Sequence, residues 1–140
     1  GKMGATHVIN SRETDPAEYV KNLTQGRGAD TTIEAAGANL SIRHALETSR
    51  PGARVVILGK TPFGDEVTLP FHLLMGDREI LRTSYGSSRP RVDFPRLADL
   101  YMSGKLYLDD MISMRLGIED INAGFKALED GKVARAIIEF

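Results

Sequence analysis

The sequence contains no cysteine, so it can build neither a disulfide framework nor a thiolate metal site, and the redox compartment stays open. It has no apolar run approaching the roughly 20 residues of a membrane-spanning helix. Charge of one sign is also missing. Lys and Arg number 18 against 19 Asp and Glu, a net charge of −1, which removes the electrostatic case for nucleic acid or an anionic membrane as a partner. The opening residues Gly1-Lys2-Met3-Gly4 lack the apolar h-region of a secretory signal, so the expected location is cytoplasmic.

Several catalytic signatures are missing too. No Gly-x-Ser-x-Gly elbow occurs. Gly59-Lys60-Thr61 matches the end of a phosphate-binding loop, but the upstream glycine such a loop needs would fall inside a strand. Gly26 and Gly28 lie between a helix and a strand, the reverse of a dinucleotide turn. His7, His44 and His72 fall in three different elements without the spacing of metal ligands. Asp109-Asp110 reads as a solvated turn.

What the sequence does contain is organised around Gly52-Ala53-Arg54-Val55-Val56-Ile57-Leu58-Gly59. Four consecutive apolar residues, Val, Val, Ile and Leu, are too short a run for a buried helix and too β-branched to favour one. They suit a strand buried on both faces, the type found in helix-covered parallel sheets. Asp30-Thr31-Thr32-Ile33-Glu34-Ala35-Ala36-Gly37 is a second such strand, and a helix-sized segment separates the two. Strand, helix and strand at this spacing predict a parallel crossover unit.

Around this unit the pattern predicts a strand over 4–10. A helix over 16–24 follows, capped by Asp15 with Pro16 at its first position and Glu18 as the capping-box partner; Tyr19, Val20 and Leu23 form its inner face. Asn39 is the expected cap of the next helix, in which Ile42, Ala45 and Leu46 recur at helical spacing. Glu66-Val67-Thr68-Leu69 reads as a short strand, 71–76 as one or two helical turns, and 79–85 as a strand stopped by Gly86. From 87 onward the spacing predicts a helix through Phe94, Leu97 and Met102, a strand over 111–116, a helix over 118–129 and a strand over 134–140. In size, 140 residues suffice for one domain with its own core.

Ala35-Ala36-Gly37, Leu58-Gly59 and Ser84-Tyr85-Gly86 put small residues at the carboxyl ends of expected parallel strands. Ligands bind outside those ends in open α/β sheets, and small residues let a ligand approach the backbone. Glycine also ends strands without any ligand, so this pattern alone leaves both readings open.

The ordered series Gly-Ala-x-x-Val-Ile-Asn (4–10), Gly-Ala-Asp-x-x-Ile-Glu-Ala-Ala-Gly (28–37), Pro-Gly-Ala-Arg-Val-Val-Ile-Leu-Gly (51–59) and Gly-Lys-Val-Ala-Arg-Ala-Ile-Ile-Glu-Phe (131–140) resembles the medium-chain dehydrogenase/reductase family, and within it the zinc-dependent alcohol dehydrogenases. The resemblance runs the length of the chain but covers only the last part of a family member. It implies an α/β fold with a partial Rossmann-type parallel sheet, strands 3 to 6 of the order 3-2-1-4-5-6, over 1–86. A C-terminal α/β segment over 87–140 would return toward a catalytic domain. Strands 1 and 2, the Gly-x-Gly-x-x-Gly turn and the zinc-bearing catalytic domain would lie outside the chain. One solution for the 6–10 strand is direct pairing with the 30–36 strand; the alternatives are ordering through a partner chain or by segments outside this sequence.

The resemblance also implies site roles. Ala35, Ala36 and Gly37 would line the adenosine side of NAD or NADP, and Leu58, Gly59 and Lys60 the nicotinamide ribose and ring. Thr83 and Tyr85 would offer backbone groups to the carboxamide, and Arg135 would reach the pyrophosphate. Lys60 departs from the apolar residue usual at its position. Val67-Thr68-Leu69 would pair with its symmetry mate in a homodimer. The implied parent reaction is hydride transfer between an alcohol and the cofactor, with zinc held only in the catalytic domain and the isolated chain inactive. The alternatives are a zinc-free quinone or enoyl reductase of the same family, and a non-catalytic cofactor-binding or assembly module.

Overall fold

In the computed structural model, which describes Gly1 and residues 3–140, the first regular element is helix α1, Pro16–Leu23. Asp15 Oδ1 accepts from the N–H groups of Ala17 and Glu18 at 2.7 and 3.1 Å, and Pro16 opens the first turn. These bonds satisfy donors that a helix start leaves free. They also hold the Asp15 carboxyl below the ordinary range, chiefly through the Glu18 and Ala17 N–H groups. Tyr19 and Val20 are half-buried, while Leu23 is exposed.

Three parallel strands follow: β1 (Ala29–Glu34), β2 (Ser49–Ile57) and β3 (Glu79–Arg82), in the spatial order β1-β2-β3. Helix α2, Asn39–Glu47, joins β1 to β2 and packs on both. Its buried Ile42, Ala45 and Leu46 recur at helical spacing. The core is small: Ala45, Leu46, Val55 and Leu73, with Leu69 packed against them. Pro51 and Gly52 do not precede β2 but lie inside it. Ala29 pairs with Ser49, whereas Thr31 pairs with Arg54, so extra residues of β2 bulge out there, with Gly52 at φ +68 and its N–H on Gly76 O at 2.7 Å. Arg78 anchors this end through Nε to Ser49 Oγ and Nη2 to Ser49 O at 2.8 and 3.0 Å.

Four expectations are corrected. The 6–10 segment forms no strand and does not pair with β1; Val8 is 73% exposed. Strand propensity without a ladder partner does not hold a strand. Glu66-Val67-Thr68-Leu69 forms no strand either. Asn39 is the first helical residue, not the cap. The cap position is Ala38, whose N–H donates to Ser41 Oγ at 3.2 Å, while Asn39 Nδ2 donates to Glu66 O at 2.9 Å. β3 stops at Arg82, and Tyr85–Ser87 turns tightly beyond it.

The chain divides into two compact units, Gly1–Ser88 and Arg89–Phe140. The second contains helix α3 (Pro90–Met102), β4 (Met114–Leu116), helix α4 (Ile121–Glu129) and β5 (Ala136–Ile138), with β4 and β5 parallel. Both strands are shorter than expected, and a separate short turn, Ile118–Asp120, precedes α4. Gly124 and Ala127 are the buried residues of α4, and a Cβ at Gly124 would collide with Leu116 Cδ1. Among the described residues no helix is long and apolar enough to cross a membrane.

Candidate functional site

The carboxyl ends of β1 and β2 meet through two glycines. A Cβ on Gly59 would lie 2.5 Å from Glu34 Oε2 and 2.6 Å from Gly37 Cα, and one on Gly37 (φ +72) would lie 2.5 Å from Lys60 O. No real Cβ fits at such distances, so both glycines are required by the close crossing of the two strand-end loops. The sequence attributes these small residues to ligand approach or to simple strand ending. The structure supplies a third cause, backbone packed on backbone.

Glu34, the last residue of β1, is 3% exposed. Its Oε1 accepts from Ala36 N–H, Gly37 N–H and Ser41 Oγ at 2.8, 2.7 and 2.6 Å. Its main-chain oxygen accepts from Leu58 N–H and Gly59 N–H at 2.7 and 3.1 Å. Burial pushes the carboxyl pKa up, but the bonds from Ser41, Gly37 and Ala36, with the neighbouring Gly59 N–H, outweigh it and hold the group below the ordinary glutamate range. An ionised carboxylate therefore lies buried in the turn between β1 and α2, bonded to two loop N–H groups and the Ser41 hydroxyl.

One face of the three-stranded sheet carries α2. On the opposite face Ile33, Val56 and Leu81 stand side by side in register across the strands, with Ile33 68% and Leu81 40% exposed. Neighbouring strands lie about 4.8 Å apart, so the three side chains form one apolar floor. Leu58, Arg82, Thr83, Gly86 and Ser87 complete a cavity of about 430 Å³ over it, at the carboxyl ends of β2 and β3. Arg82 Nη1 reaches Ile57 O at 3.3 Å. Thr83 N–H donates to Ile57 O at 3.0 Å, and Thr83 Oγ1 pairs with Ser87 Oγ at 2.8 Å. Tyr85, Gly86 and Ser87 all have left-handed backbones, with φ of 50, 65 and 52. Two of the three are not glycine, and strain of this kind concentrates at ligand-binding turns.

Of the residues singled out in the sequence, the structure gathers Leu58 and Thr83 on this cavity and packs Gly37, Gly59 and Lys60 together beside it. Ala35 and Ala36 line a separate open cleft with Thr32, Ser41 and His44. Tyr85 is 94% exposed. Arg135 lies in the second unit, immediately before β5, where its N–H and carbonyl are bonded to Ser113 and its side chain is exposed. Glu34, Ser41 and Ser87 were not singled out. Only Glu34 left a signal, a charged residue closing an otherwise uncharged strand end before three small residues. Among the described residues no three His, Asp or Glu side chains gather as a metal site.

Comparison with known proteins gives the geometry its family. A family model described as "Zinc-binding dehydrogenase" matches residues 1–103. The chain is 36% identical to an S-(hydroxymethyl)glutathione dehydrogenase of Paracoccus denitrificans over 97% of its own length and 38% of the relative's. It is 34% identical to a class-3 alcohol dehydrogenase of Cereibacter sphaeroides over 99% and 39%. The crystal structure of benzyl alcohol dehydrogenase from Acinetobacter calcoaceticus superimposes with a TM-score of 0.90 at 26% identity, over 99% of this chain and 38% of that one. The chain thus spans less than two fifths of the length of the relatives it matches. A parallel α/β sheet with its cavity at the carboxyl strand ends, matched end to end by these proteins, belongs to the zinc-binding dehydrogenase family and corresponds to the C-terminal, cofactor-domain portion of its alcohol dehydrogenases.

Proposed function

We propose that this chain forms the nicotinamide side of the cofactor cleft in an NAD- or NADP-linked alcohol dehydrogenase, whose whole reaction is hydride transfer between an alcohol and its aldehyde or ketone. The observation that carries the reading is the cavity over Ile33, Val56 and Leu81, rimmed by Thr83 and Ser87 at the carboxyl strand ends. A nicotinamide ring is flat, largely apolar, and bears one carboxamide. An apolar floor would hold the ring and exclude water, while main-chain groups at the rim orient the carboxamide. The cofactor supplies the hydride chemistry; the chain binds and orients it.

In this reading Leu58, Gly59 and Lys60 follow the nicotinamide ribose and ring. Thr83, through its carbonyl, and Tyr85 meet the carboxamide. Ala35, Ala36 and Gly37 border the adenosine side, in a turn whose Ala36 and Gly37 N–H groups are taken by Glu34. Arg135 offers its guanidinium to the pyrophosphate, where two parallel hydrogen bonds can form. Zinc does not fit the residues of this chain. There is no cysteine, and among the described residues no three His, Asp or Glu side chains gather; in this reading the parent's zinc is held outside this chain.

The test is titration of the full chain with NADH and with NADPH, followed by nicotinamide fluorescence and by amide shifts at Leu58, Thr83 and Ser87. Weak binding is expected, reduced by Arg135→Ala and abolished by Leu58→Asp, with no turnover of primary or aromatic alcohols even with zinc added. Binding by neither cofactor, or binding indifferent to Leu58→Asp, would refute the site. Turnover above background would refute the division of labour between this chain and the rest of the parent.

A further inference from the structure

Two loops meet at the carboxyl ends of β1 and β2, Ala36-Gly37 after β1 and Leu58-Gly59-Lys60 after β2. One residue is bonded to both. Glu34 holds the first through its side chain and the second through its main-chain oxygen. We propose that Glu34 is the positioning residue of the cofactor cleft, setting through its charged carboxylate the separation of the two loops between which the dinucleotide lies. The proposal rests on the cofactor reading above for its ligand, but the positioning itself rests on the carboxylate's hydrogen bonds to the first loop and the packing of Oε2 against Gly59 of the second.

The chemistry requires the charge and not merely the bulk. An ionised carboxylate is an acceptor only. Oε1 takes three donors, and Oε2 is buried against Gly59 with no hydrogen-bond partner among the described residues. Glutamine is nearly isosteric and keeps an oxygen for the three donors. Its NH2, however, would replace Oε2 beside the Gly59 N–H, which favours the ionised carboxyl. Donor would meet donor there, and the loop after β2 would be pushed away from Gly37. Aspartate is shorter by one methylene, leaving a small void, yet it presents only acceptors and keeps the negative charge in the turn between β1 and α2. Simple filling of space would rank glutamine above aspartate as a replacement. Positioning by charge ranks aspartate above glutamine.

The experiment uses the 15N-labelled full chain with Glu34→Gln, Glu34→Asp and Ser41→Ala. It reads hydrogen exchange at the Ala36, Gly37, Leu58 and Gly59 amides, NADH affinity, and far-UV circular dichroism. Glu34→Gln is expected to speed exchange at these amides and weaken NADH by about tenfold, the loss of roughly one charge-assisted hydrogen bond, with unchanged dichroism. Glu34→Asp is expected to lie closer to the wild type on both readouts. Glu34→Gln equal to the wild type, or better than Glu34→Asp, overturns the proposal. If the glutamine variant does not fold, Ser41→Ala decides, because it removes one donor and leaves the charge. Faster exchange at Ala36 and Gly37 supports the proposal and unchanged exchange overturns it. Should the wild type bind no NADH, the cofactor reading fails, while the exchange ranking still decides whether Glu34 positions the loops.

Discussion

Replacing Gly59 by alanine tests the packing of the two strand-end loops most directly. The added methyl would lie 2.5 Å from Glu34 Oε2 and 2.6 Å from Gly37 Cα, and closer still to Gly37 N. Carbon atoms pack at about 3.5–4.0 Å, so the loops must separate by roughly 1 Å. The obstacles are main chain and a carboxylate tied by three donors, so no rotamer change opens the space. Overpacking a tight site costs about 1–3 kcal/mol. Separation also weakens the bonds from Leu58 N–H and Gly59 N–H to Glu34 O, each worth about 1 kcal/mol net. Together these give up to about 5 kcal/mol, a large share of the 5–15 kcal/mol by which domains are ordinarily stable.

Gly86→Ala is the matched control. Gly86 has φ +65, but a Cβ there would meet nothing within 4 Å, so only the left-handed backbone is penalised, by about 1–2 kcal/mol. Urea unfolding of both variants, compared at equal m-value, separates the effects. If Gly59→Ala is no more destabilising than Gly86→Ala, the crossing is loose and the account of both glycines fails.

Three further outcomes follow from the same structure. Leu46 is fully buried among Ala45, Val55 and Leu73, so Leu46→Ala should cost about 2–5 kcal/mol; a loss under about 1 kcal/mol in urea would mean that this cluster is not the core of its unit. Asp30 accepts from Arg27 Nη1 and Nη2 at 2.7 and 2.9 Å and from Arg50 Nε at 2.7 Å, and these guanidinium bonds, Arg27's first, hold its pKa at about 2. A depressed folded-state pKa contributes stability above the ordinary carboxylate range that is lost as pH falls through it; Asp30→Asn should therefore narrow the stability difference between neutral pH and pH near 2, and an unchanged acid profile would argue against the contribution. Dimerisation through Val67-Thr68-Leu69 predicts that Thr68→Pro lowers the molecular mass in solution from a dimer's to a monomer's, because proline removes a ladder donor; a persisting dimer would place the interface elsewhere.

Much of the first unit could be read from local pattern. Asp15 and Pro16 start α1 because the side-chain acceptor and the fixed φ both act within three residues. Val55 and Leu46 declare themselves by periodicity. The errors arise where a long-range partner decides. The 6–10 segment has β-branched residues, but a strand is defined by the strand beside it, and no such neighbour pairs with this one. Asn39 has the chemistry of a cap, yet its side-chain amide reaches Glu66 O, 27 positions along the chain, and Ser41 accepts the Ala38 N–H in its stead. Pro51 and Gly52 mark a break correctly, but whether a break lies before a strand or bulges out of its middle depends on register with β1.

The site divides along the same line. The strand ends at Gly37 and Gly59 were visible, since glycine after an apolar run is a local signal. Their reason was not, because Gly37 is required by Lys60 and Gly59 by Gly37 and Glu34, contacts between segments more than twenty residues apart. Glu34 makes the point most sharply. In the sequence it is one of four polar residues in β1 with Asp30, Thr31 and Thr32, and alternation alone does not say which will be turned inward with its charge intact. The fold answers by supplying Ala36 N–H, Gly37 N–H and Ser41 Oγ on one side and the β2 loop on the other. A charge is stable there only because the following turn and helix converge on it.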